Sequence, residues 1–103
     1  MIIEARSRDE LAIDGEGLVL VDFYSDDCVF CERLAPVLED VDFEMPFLSI
    51  VKINCSRVEG IGEEFGIYAF PTVKLFRAGE ELDSVTGFRP AETLQSFIAD
   101  KLY

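Results

Sequence analysis

The stretch Leu18–Val37, LVLVDFYSDDCVFCERLAPV, constrains this chain more than any other. Leu18–Tyr24 is nearly continuous in apolar residues, as expected of a central strand covered on both faces. A short acidic loop follows, and then Cys28-Val29-Phe30-Cys31. After Cys31, residues Leu34, Val37, Leu38 and Val41 recur at helical spacing. A strand that runs into a helix with Cys-x-x-Cys at the junction has a chemical logic. The helix amino end carries unpaired N–H groups and partial positive charge. That charge stabilises a thiolate, which is the nucleophile in disulfide exchange. Two intervening residues let the second sulfur reach the first and release a mixed disulfide. Cys28 is thus the candidate nucleophile and Cys31 the resolving thiol. The plain alternative is a pair of reduced core cysteines, since free cysteine often behaves as a small hydrophobe.

The rest of the composition narrows the class. With 103 residues, half of them hydrophobic, the chain reads as a single domain over 1–103 with a core that needs no staples. A formal charge of −12 argues against nucleic acid and anionic membrane surfaces as partners. Its bland role is solubility; its sharper one is docking to a basic surface. Three cysteines are too few for a secreted disulfide scaffold, and Cys-x-x-Cys then reads first as redox and second as half a metal site. Metal is the weaker reading. There is no histidine, and only Cys55 remains as a further thiol, so a zinc site would need carboxylates or a second chain. The amino-terminal MIIEARSRDELA has no basic start followed by an apolar run, so no signal peptide is expected and the chain is read as cytoplasmic.

Taken in order, Ile2, Ile3 and Ala5 predict a short first strand. Ser7 and Glu10 fit a capping box, so a helix is expected after Ser7, with Leu11 and Ala12 on its apolar face and Gly15 and Gly17 ending it. Pro36 falls inside the helix that follows Cys31, where it removes a backbone hydrogen bond and predicts a kink. Phe47–Ile53 predicts a strand, and Val58, Ile61 and Phe65 a short helix stopped by Gly66. Thr72–Phe76 and Glu81–Thr86 predict a hairpin turning at Gly79. A last helix is expected from Pro90, with Leu94, Phe97, Ile98 and Leu102 on one face. The order is a βαβα half followed by a ββα half. It predicts an α/β fold with a central mixed sheet, helices on both faces, and a site at the carboxyl ends of the parallel strands.

At these positions the sequence resembles the thioredoxin family over essentially its whole length. Val21-Asp22-Phe23-Tyr24 is similar to the family's strand with its buried aspartate. Cys28 and Cys31 stand six and nine residues after that aspartate, and Pro36 five after the second cysteine. Lys52 matches the lysine that approaches the aspartate, Phe70-Pro71-Thr72 the cis-proline segment, and Gly79 and Gly87 the turn and surface glycines. The resemblance implies a thioredoxin fold and protein-disulfide reduction with no bound cofactor beyond the redox-active disulfide. It implies protein disulfides as substrates, a thioredoxin-reductase-like electron donor, a monomer, and a place in electron transport and cell redox homeostasis. It also implies that Asp22, with Lys52, takes the proton of Cys31, that Pro71 is cis, and that Val29, Phe30, Phe70, Pro71 and Gly87 meet substrate. The plain readings beside these are a solvent-facing Asp22, a surface Lys52 and a trans Pro71.

Three departures bear on activity. Asp27 stands where the family has Trp, Val29-Phe30 where it has Gly-Pro, and Glu32 where a basic residue is common. One carboxylate about 7 Å from the sulfur costs the thiolate roughly 0.6 kcal/mol in water and about 2.4 at an effective dielectric near 20. The helix terminus returns on the order of 0.3–1 kcal/mol, at most about 2. Asp27→Asn is therefore expected to make Cys28 more acidic. Val29, Phe30, Tyr68, Phe70 and Phe88 are candidates for an apolar rim around Cys28, with core positions as their alternative. Cys55 reads as a packed cysteine ahead of a regulatory thiol. Competing functions are a glutaredoxin-like or oxidising or isomerising thiol protein, suggested by the aromatic Phe30, and a non-catalytic binding module of the same fold.

Overall fold

The structure is a computed structural model and describes residues 1–102. Five strands form one sheet in the order β1 (Ile2–Ala5), β3 (Ser49–Asn54), β2 (Val19–Tyr24), β4 (Thr72–Arg77), β5 (Glu80–Thr86). The first three are parallel, and β4 and β5 are antiparallel to what precedes them. The expected mixed sheet is therefore present, with β2 at its centre.

Alternation along the strands splits the core in two. Leu20, Ile50, Val73 and Leu75 pack under Leu34, Leu38 and Val41 of α1 (Val29–Glu44) and Leu94 and Ile98 of α3 (Ala91–Ala99). On the other face, Val19, Val21, Phe23, Val51 and Ile53 pack against Leu11, Ile13 and Ile61. That side is covered by a 3-10 turn, Arg8–Leu11, and a one-turn helix, α2 (Ile61–Glu64). Helices thus lie on both faces, long on one and short on the other. Covering β2 from both sides is why its sequence is apolar throughout except at Asp22.

Several local expectations are corrected. The segment after Ser7 is a 3-10 turn rather than an α-helix, and Ser7 makes no capping bond. Glu10 instead accepts from the Arg6 amide at 2.7 Å. Leu11 alone anchors this turn, too little apolar surface to offset the cost of nucleating a longer helix. The turn ends at Ala12 in the left-handed region, upstream of Gly15 and Gly17, and Ala12 is exposed. β3 begins at Ser49, because Met45–Leu48 closes a turn that leaves Phe47 exposed. Leu102 lies beyond α3, which ends in tightened turns at Ala99–Leu102. Pro36 lies in the interior of α1, as expected. The β4–β5 hairpin turns at Ala78-Gly79, both at positive φ, the two-residue turn whose twist suits adjoining strands.

Candidate active site

β2 ends at Tyr24, and the loop Ser25-Asp26-Asp27 carries the chain to Cys28. Asp26 ties this loop down: its carboxylate accepts from Asn54 Nδ2 at 2.9 Å and from Arg57 Nε at 3.4 Å, and its amide donates to Ser56 Oγ. The Asn54 hydrogen bond, ahead of the Arg57 charge, holds the Asp26 carboxyl below its usual range. Asp27 then takes a positive φ of 53° and turns the chain into α1. This knot of Asp26, Asn54 and Arg57 was not singled out in the sequence. Its only prior signal was a polar Asn-Cys-Ser-Arg run at the end of the third strand.

Cys28 is the N-cap of α1. Its Sγ accepts from the Cys31 N–H at 3.2 Å, so the first sulfur receives one of the unpaired amides of the helix terminus. Cys28 and Cys31 form a disulfide with Cα atoms 5.2 Å apart. Cys28 is partly exposed and Cys31 is buried, the asymmetry expected of an attacking and a resolving sulfur. A pocket of about 360 Å³ is lined by both cysteines, Tyr24, Asp27, Ala35 and Lys52 among others.

Asp22 is fully buried, and neither carboxylate oxygen has a hydrogen-bond partner. The solvent-facing alternative is thereby excluded. Burial pushes its pKa up to about 7; Lys52 lowers it and Glu4 raises it further. Lys52 stands opposite Asp22 in the β2–β3 register. Its ammonium, however, lies over the Tyr24 ring, 4.9 Å from the centroid.

Phe70–Pro71 is a cis peptide, as the resemblance implied. Because Phe23 pairs with Thr72, Pro71 stands at the end of the sheet where β2 leaves for Cys28. Gly87, at φ 93°, donates its N–H to the Pro71 carbonyl at 2.7 Å and so sits against the same segment. Val29, Phe30 and Tyr68 are well exposed, and the Arg33 guanidinium stacks on Phe30 at 5.5 Å. Phe70 is half-buried, and Phe88 packs against the α1-side core. Phe88 thus takes its core alternative.

Cys55 follows β3, and its amide donates to the Tyr24 carbonyl. It is a free, half-buried thiol packed against the second core. Burial, with smaller effects of Asp22 and Glu63, pushes it up to about 11. Among the described residues, no three His, Cys, Asp or Glu side chains group to hold a metal ion.

The comparisons with known proteins agree with this geometry. The sequence model of the Thioredoxin family matches residues 3–100. The chain is 36% identical to thioredoxin of Bacillus subtilis over 98 residues, 94% of each chain. It is 33% identical to thioredoxin of Chlamydia muridarum over 99 residues, 95% of this chain and 97% of that one. Among solved structures, Malassezia sympodialis thioredoxin matches with a TM-score of 0.87 at 26% identity, covering 96% of this chain and 91% of that one. Plasmodium falciparum thioredoxin matches at 0.86 and 26% identity, covering 95% and 97%. With a partly exposed Cys28 capping a helix and a buried Cys31 behind it, the chain belongs to the thioredoxin family and is a thiol–disulfide oxidoreductase that reduces protein disulfides by exchange through Cys28 and Cys31.

Proposed function

We propose the following division of labour within that reaction. The reduced Cys28 thiolate attacks one sulfur of a substrate disulfide, and the other substrate sulfur leaves as a thiolate. Cys31 then loses its proton to the Asp22 carboxylate and attacks Cys28 Sγ. The mixed disulfide breaks, the second substrate thiolate leaves, and Cys28–Cys31 is oxidised. A reductase of the thioredoxin-reductase kind returns two electrons to the pair. The observation that carries this reading is a helix-capping Cys28 with Cys31 buried behind it, above a strand whose one carboxyl, Asp22, has no partner. A base held near pKa 7 is suited to taking a thiol proton at neutral pH. Lys52, lining the pocket, moderates the charge that Asp22 acquires.

Substrate lies along Phe70 and cis-Pro71, pairing with backbone like an added strand, between the exposed Val29 and Phe30 on one side and Gly87 on the other. The exposed Asp26, Asp27 and Glu32 around Cys28, and the net charge of −12, favour partners with a basic docking surface. The protein acts as a monomer in the cytoplasm, in electron transport to protein disulfides. Reduction of insulin by the reduced protein tests the reading. Cys28→Ser abolishes it and Cys55→Ser leaves it intact; activity surviving in Cys28→Ser sinks the assignment.

A further inference from the structure

The α1-side faces of three adjacent parallel strands carry a row of charged residues. Glu4 on β1 pairs with Lys52 on β3, and Lys52 pairs with Asp22 on β2. Each stands two positions after a core residue of that face, Ile2, Ile50 and Leu20, so the three side chains share one side of the sheet. An unpaired buried carboxyl is costly, and the ammonium in the next strand is its natural partner. Yet both oxygens of Asp22 are unpartnered. The Lys52 ammonium rests instead on the Tyr24 ring, and the Tyr24 hydroxyl donates to Glu4 Oε2 at 2.7 Å. The ring face attracts the cation, and the carboxylate at the ring's far end fixes the ring and adds its own negative charge.

We propose that Glu4 and Tyr24 are positioning residues for Asp22, holding the Lys52 ammonium on the Tyr24 ring so that the buried carboxylate is not neutralised by an ion pair and stays a competent proton acceptor. An Asp22 paired with Lys52 would be a weaker base for the Cys31 proton. Held off, the lysine still lies close enough to limit the charging cost of the carboxylate. The groups around Asp22 are few. Lys52 and Cys55 come from β3 and its following loop, Tyr24 from its own strand, and Glu4 from β1. The cysteine pair at the start of α1 shares a pocket with Lys52, and β4 presents the uncharged Val73. The latch reaches from the exposed edge strand to the buried base, and it rests on the proton-accepting role given to Asp22 above.

The test is the titration of the Asp22 carboxyl, followed by carbon NMR of the oxidised protein, in Glu4→Gln and Tyr24→Leu. Two strand spacings, about 9.6 Å, separate the Glu4 and Asp22 backbones. Removing a charge at that range, and freeing Lys52, lowers the Asp22 midpoint by about half to one pH unit. Glu4 is exposed on an edge strand, so Glu4→Gln keeps the fold if Tyr24→Leu does not. Because the lost Glu4 charge lowers the midpoint by itself, the latch is judged in Tyr24→Leu and in the milder Tyr24→Phe, which remove no charge: a midpoint unchanged or higher than the parent's in both overturns it. The base role is judged separately, by mixed-disulfide resolution in Asp22→Asn. If that rate keeps its wild-type pH profile, Asp22 is not the acceptor, whatever the titration shows.

Discussion

Replacing Asp22 with alanine should stabilise the oxidised protein, and by an amount that depends on pH. The carboxyl titrates near its ordinary 3.8 when unfolded and is pushed up to about 7 when folded, because burial penalises its charged form. The folded state therefore binds the proton more tightly. Asp22 contributes stability that is fully present below about pH 4 and is lost as pH rises through 7. The full span is about 4 kcal/mol, at about 1.4 kcal/mol per pH unit. Between pH 5 and pH 8.5, where the unfolded carboxyl is already mostly ionised, the loss is roughly 2–3 kcal/mol. Removing the side chain abolishes that loss and leaves a small cavity, on the order of 1 kcal/mol at every pH. Urea unfolding of both proteins at the two pH values isolates the difference, since other titrating groups cancel. Asp22→Ala should gain roughly 2–3 kcal/mol on the parent between pH 5 and pH 8.5. A gap that stays constant, or narrows as pH rises, refutes the reading of Asp22 as an orphaned buried acid.

Other perturbations bear on separate links. Asp27→Asn should lower the Cys28 midpoint by a few tenths of a pH unit, read from ultraviolet thiolate absorbance of the reduced protein, and less so in high salt; a rise would mean that the Asp27 carboxylate does not oppose the thiolate. Leu34→Ala opens a fully buried site under α1 and should cost about 2–5 kcal/mol in denaturant unfolding, with a loss below 1 inconsistent with the packing described. Gly87→Ala places a Cβ at φ 93°, 3.3 Å from the Arg89 guanidinium, and should cost on the order of 1–3 kcal/mol while raising KM for a protein substrate. Cys55, pushed up to about 11, should carry roughly a hundredfold less thiolate near neutral pH than a thiol at 9.0, and iodoacetamide should label it correspondingly slowly.

Much of the site was legible because its chemistry is local in sequence. Cys28 and Cys31 sit at a strand–helix junction that hydrophobic patterning alone locates, and Asp22 is conspicuous as the one acid in an apolar strand. The exposure of Val29 and Phe30 follows from their place on the first turn of α1. What was not legible depends on register between distant strands. Glu4 enters the site only because β1 lies beside β3, and β3 beside β2, a pairing that no local pattern specifies. The same pairing decides where the Lys52 ammonium goes. The family resemblance put Lys52 next to Asp22, but an aromatic face from its neighbour strand competes for the charge. Elsewhere, single weak signals misled. Ser7 and Glu10 have capping-box spacing, yet the turn they open has one buried residue to hold it. Phe47 is apolar but falls in the turn before β3, and Phe88 turns inward because α1 and α3 leave an apolar surface there to cover.

The central claim is that Cys28 alone attacks the substrate and Cys31 alone releases it. Reduced Cys31→Ser, mixed with a disulfide-bonded protein such as insulin, should accumulate an intermolecular disulfide that peptide mapping places at Cys28. A link through Cys55, or no trapped species while the parent protein remains active, would contradict the account.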